Sequence, residues 1–148
     1  MAASSWFIFN KAKEYIGDGT IDLDTDNFRM GLLTSAADLT ANAAGLTSWG
    51  SAAGLGEIAD GNGYSTSGKA LAAVTWGAGA SAGEQRFDAT AVIWTATGGN
   101  IANVRYAVIY ASGGNLLAWA ELSTAPFTIT SGNTLTITPS ANGIFELN

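Results

Sequence analysis

VRYAVIYASGGNLLAWAEL, residues 104–122, decides how the chain is read. Val104, Tyr106, Val108 and Tyr110 alternate with Arg105, Ala107 and Ile109, the two-residue period of a strand. Ser112 to Asn115 forms a polar turn, and Leu116 to Leu122 runs back as the partner strand of a hairpin. Nearly every position is apolar, so the hairpin is expected at the centre of a sandwich, buried on both faces or on one face and an interface.

Toward the C-terminus the period persists. Phe127 and Ile129 alternate with threonines, Ser131-Gly132-Asn133 turns, and Leu135 and Ile137 repeat the pattern. Pro139 to Gly143 turns again before a last strand, Ile144 to Leu147. On the N-terminal side, Leu71 to Trp76, Gln85 to Asp88 and Ala91 to Thr95 read as short strands, with Gly77 to Gly83 a flexible turn and Gly98-Gly99-Asn100 another. Phe28 to Thr34 is a strong strand with Phe28, Met30 and Leu32 on one side and Arg29, Gly31 and Leu33 on the other. Seven or eight short strands separated by turn signals predict an all-β fold, a β-sandwich or jelly-roll in one domain spanning residues 1–148.

Two segments depart from this pattern. Ser4 or Ser5 can cap a short helix reaching about Ile16, with Ile8, Phe9, Ala12, Tyr15 and Ile16 on one face and Gly17 as its stop, so residues 1–17 are expected to form an N-terminal helical segment. Residues 35–62 are rich in Ala, Gly, Ser and Thr without clear period, and read as a long interface loop carrying Leu46, Trp49 and Leu55, with room for a turn or two of helix around Ala36 to Ala44.

Composition narrows the function classes. Only 12% of the 148 residues are charged, against about a quarter in an ordinary soluble domain. Part of the surface is therefore expected to be covered by copies of the chain or by a partner. A net charge of -6 without a basic run argues against nucleic acid. No stretch approaches the ~20 apolar residues that cross a bilayer, and the lysines following Trp6 to Phe9 stand in the wrong order for a secretory signal. With no cysteine and no histidine, thiolate catalysis, a Ser-His-Asp triad and a histidine zinc site are ruled out.

The remaining constellations are few. Asp22, Asp24 and Asp26 occupy every second position, as in the first half of a calcium loop, but Asn27 and Leu33 stand where that loop needs glycine and a bidentate glutamate. The alternative is a polar strand edge with Ile21 and Leu23 turned inward. Gly63 to Lys69 has part of a phosphate-loop spacing, yet Ala70 stands where Ser or Thr must hold magnesium, and a turn rather than a strand precedes it. Glu84 and Asp88 supply two carboxylates, and nothing in the sequence places them in a cleft. No cofactor and no enzymatic activity are expected. Of the five tryptophans, Trp76, Trp94 and Trp119 fall in predicted strands and read as core. Trp49 reads either as an anchor inserted into a neighbouring subunit or as a lid on its own sandwich.

The order KEYIGDGTIDLDTDNFRMGLLTS, then GYSTSGKAL, then VRYAVIY and LLAWAEL resembles a group of small tailed-bacteriophage virion proteins, the capsid decoration, cement or head-spike-base type. The resemblance covers most of the chain and is weakest over residues 36–59. It implies a trimeric β-sandwich subunit made in the host cytoplasm and bound to the outer capsid surface, bridging copies of the phage major capsid protein. The expected contact residues are Trp6, Phe7, Phe9, Leu46, Trp49 and Leu55. A spike-base, tail or fibre-attachment protein is the alternative within the virion class. A carbohydrate-binding module, with Trp49 or Trp6 stacking on sugar, is the alternative outside it.

Overall fold

The computed structural model describes residues 5–148. A six-stranded antiparallel sheet forms the main layer, in the order β1 (Phe7–Ile8), β8 (Leu116–Glu121), β7 (Ile101–Ala111), β2 (Phe28–Thr34), β3 (Lys69–Ala70), with β9 (Phe127–Ile129) paired to the start of β7. A second layer is built from two smaller sheets. One pairs β6 (Val92–Thr95) with β10 (Thr134–Ile137); the other has the order β11 (Phe145–Leu147), β5 (Gln85–Asp88), β4 (Thr75–Ala78). The chain is all-β, with short helices, and the hairpin of residues 104–122 is its centre.

Alternation assigns the two faces of the main sheet. Met30 lies opposite Ile109, Leu32 opposite Ala107, and Ala118 and Ala120 continue that side on β8. This inner face meets the second layer through aromatic contacts: Phe28 packs edge-on against Phe87 at 5.0 Å, and Phe87 stacks on Phe145 at 5.2 Å. The other face carries Gly31, Leu33, Tyr106, Val108, Tyr110 and Trp119. It is buried too, because residues 35–62 fold over it.

That segment is an ordered lid: helical turns lie around Ala36 to Ala44 as the sequence allows, and α3 corrects the expectation of a loop over the rest. It contains a 3-10 turn at Ser35–Ala37, α2 (Leu39–Asn42), a second 3-10 turn at Ala43–Gly45, and α3 (Trp49–Gly56). Ser48 caps α3 by accepting a hydrogen bond from the Ser51 amide. Trp49 then lies flat on the sheet, its ring 4.6 Å from that of Tyr110 and tilted by 5°. Gly31 makes this possible, since a Cβ there would stand 2.2 Å from the indole. The lid closes where the Ile58 amide donates to the Leu32 carbonyl at 3.1 Å. Single apolar residues in a small-residue background show no period of their own; their partner is the sheet.

The N-terminus is also redrawn. Phe7 and Ile8 are extended and pair with Trp119 and Ala118, and the Phe9 amide donates to the Leu117 carbonyl. The helix α1 runs only from Asn10 to Gly17, with Phe9 at its cap position and no side-chain cap. Ser5 therefore does not cap it, and Ser4 lies outside the described residues. Pairing wins over helix here because β8 would otherwise leave its outer edge open. The predicted strand from Leu71 to Trp76 is corrected as well: the chain turns at Ala73, where φ is 49°, so only Thr75 and Trp76 of it are extended, in β4, and β3 lies just before it.

Candidate interaction surface

The aspartates of residues 22–26 form a turn, neither the metal cage nor the strand edge. Asp22 accepts from the amides of Asp24 (2.9 Å) and Thr25 (3.2 Å), and Asp26 reaches back to the Asp22 amide (2.9 Å). A carboxylate two or three residues ahead of a free amide closes its own turn. The Thr25 and Asp24 donors hold the Asp22 carboxyl below the usual range. Ile21 and Leu23 are buried as expected. Among the described residues no three potential ligand side chains converge on one point.

Gly63 to Lys69 is held to the sheet by a partly buried polar network. Arg29 donates to the carbonyls of Ser67 (3.1 Å) and Gly68 (2.8 Å), and Tyr110 donates to the same Ser67 carbonyl (2.6 Å). Glu57 accepts from the Tyr64 phenol (2.8 Å) and the Ser67 amide, while the Tyr64 oxygen accepts from the Leu32 amide. Burial, reinforced by the Glu57 carboxylate, pushes the Tyr64 phenol well above the ordinary tyrosine range. Gly68 has φ 65°, and a Cβ there would meet the Met30 carbonyl at 1.9 Å. The glycines let this loop lie against backbone; they do not form a phosphate cradle.

A groove of about 730 Å³ opens at one end of the sandwich, as lined by the described residues. Its floor is the inner face of the main sheet: Trp6, Ala120, Leu122 and Phe127. Its walls come from residues 135–138 at β10 and 144–146 at β11. A strand turns alternate side chains to one face, so runs of consecutive residues lining a cavity mean that strand edges face it. The topology agrees. Among the described residues β10 pairs only with β6 and β11 only with β5, leaving the second layer interrupted between them.

The expected contact residues divide into two groups. Phe9 is buried under the sheet, and Trp49, 8% exposed, is the lid on its own sandwich. Neither is available as an anchor, which corrects that expectation. Trp6 lines the groove, and Leu46 is half-buried against the core. Leu55 is exposed on α3, and Phe7, 48% exposed, leans on Trp119 at 5.0 Å. The structure does not bring Phe7 and Trp6 together, because adjacent strand residues point to opposite faces. Ile93 was missed. It is 48% exposed between buried Val92 and Trp94, and the alternation of AVIW was the available signal. Comparison with protein-family models, with curated proteins and with solved structures finds no match.

Proposed function

We propose that the protein is a non-enzymatic bacteriophage virion component, a capsid decoration or cement protein that stabilises the head by bridging major capsid subunits. The observation that supports this best is a groove with an apolar floor and two strand edges unpaired among the described residues, in a chain of which only 12% is charged. Such a surface offers backbone hydrogen bonds and apolar area together, which suits burial in an assembly. The reading also rests on the resemblance of its strand and turn sequences to virion proteins, with self-association as a trimer and the outer capsid surface as its location. Many copies on one shell convert weak single contacts into firm attachment.

Copy number tests it. A stained gel of purified particles is expected to show hundreds of copies in the head. A few copies at one vertex would move the protein to the tail or fibre class, copies at the vertices alone would make it a spike base, and absence from particles would overturn the proposal. The carbohydrate-module reading keeps one specific support, the exposed Phe7 beside Trp119. Titration with host-envelope polysaccharide tests it through tryptophan fluorescence, and an unchanged signal removes it.

A further inference from the structure

We propose that the groove between β10 and β11 is a strand acceptor, filled by an extended apolar segment of another protein that carries a lysine or arginine at its end. This deepens the capsid-bridging reading and rests on it only for the source of the segment. Three observations carry the geometry. The second layer is interrupted where consecutive strands β10 and β11, joined through a tight Ser140–Gly143 turn, do not pair with each other. Both turn an edge into the gap, and among the described residues neither edge has a strand partner, so each offers amides and carbonyls to an incoming backbone. The uncovered floor is apolar, with the small Ala120 flanked by Trp6, Leu122 and Phe127, as a strand in this layer would need beneath it.

Charge selects the occupant. Glu146 lines the groove, and Glu84 lies close to it across the 79–84 turn: a Cβ on Gly79 would stand 3.1 Å from Glu146 Oε1 and 3.3 Å from Glu84 Oε2. Glu84 accepts from the Ser81 amide at 2.8 Å and Glu146 only distantly from Ala80 at 3.4 Å. Arg86, opposite Glu146 in the sheet, is turned instead to the Ala141 carbonyl at 3.1 Å. Two carboxylates at one rim favour a cationic residue on the incoming segment. They also disfavour the same groove of a second copy, which would bring like charges together.

The test uses the full chain and two synthetic peptides, acetyl-KVTVTVK-amide and acetyl-EVTVTVE-amide, with amide hydrogen exchange followed by NMR. The basic peptide is expected to slow exchange at least tenfold at those amides of residues 135–138 and 144–146 that face the gap and are not already bonded to β6 or β5, and the acidic one less than twofold. Glu146→Gln should weaken the basic peptide severalfold with an unchanged melting temperature. Absent protection, or protection confined to other edges, overturns the acceptor. Equal protection by both peptides, or a silent Glu146→Gln, overturns the charge selection. Protection that grows with protein concentration without peptide makes a second copy the occupant and overturns the proposal. Attachment to purified heads is measured separately: attachment without peptide protection sinks the acceptor alone, and protection without attachment sinks the capsid reading alone.

Discussion

Trp49 shows how one side chain changes its meaning between chain and fold. Stacked on Tyr110 and seated over Gly31, it belongs to the core. Trp49→Ala is expected to destabilise the protein by about 3–5 kcal/mol, the range for removing a buried large aromatic, as read from urea unfolding; a change under about 1 kcal/mol would deny the lid its role. Tyr64 gives a second residue-level expectation. Burial raises its phenol, and also those of Tyr106 and Tyr110, so the folded state holds these protons more tightly than the unfolded chain. The stability this contributes is complete below the ordinary tyrosine value of about 10 and is lost as pH rises above it. Denaturation midpoints should therefore fall in alkali, and Tyr64→Phe should make the fall shallower. An identical slope in the variant would show that Tyr64 ionises freely.

Among the elements, the clearest case is the loop from Gly63 to Lys69. Its glycines match part of a phosphate-loop spacing, whereas packing explains them. Gly68→Ala places a methyl group against the Met30 carbonyl at a left-handed φ, and should cost about 2 kcal/mol or more in a thermal melt. Gly17→Ala is the control: nothing lies within 4 Å, φ is not left-handed, and the residue ends a helix. That change should be neutral or stabilise by up to about 1 kcal/mol. Equal losses at both positions would mean that chain flexibility, not close approach, governs the loop. Strands such as Gln85–Asp88 and Phe28–Thr34 were legible because a two-residue period survives in any context. Helix α3 was not, since its small residues give no apolar stripe and its stability comes from the sheet beneath.

For the whole molecule, surface and core exchange roles relative to the sequence reading. Trp49, read from the sequence either as an interface anchor or as a lid, is inside, and among the described residues the exposed large apolar side chains are Phe7, Leu55 and Ile93. On the capsid-bridging proposal, Phe7→Ser should leave stability within about 1 kcal/mol, because the ring is already half in water, while lowering occupancy on heads. Leu55→Ser should behave likewise. Occupancy equal to wild type in both variants would move the contact to the groove alone.

The sequence by itself determined the all-β class, the position of the central hairpin, and the exclusion of histidine and cysteine chemistry. These follow from local periodicity and from residue types, which need no knowledge of what lies across the sheet. Only the tertiary structure decided that residues 35–62 are a lid, that Asp22, Asp24 and Asp26 close a turn, and that β10 and β11 leave a groove between them. Each of these depends on contacts between residues far apart in the chain, or on which amides remain unpaired once the strands have found their partners. A pattern of apolar and polar residues carries the period of an element, and the identity of its neighbour is settled by packing.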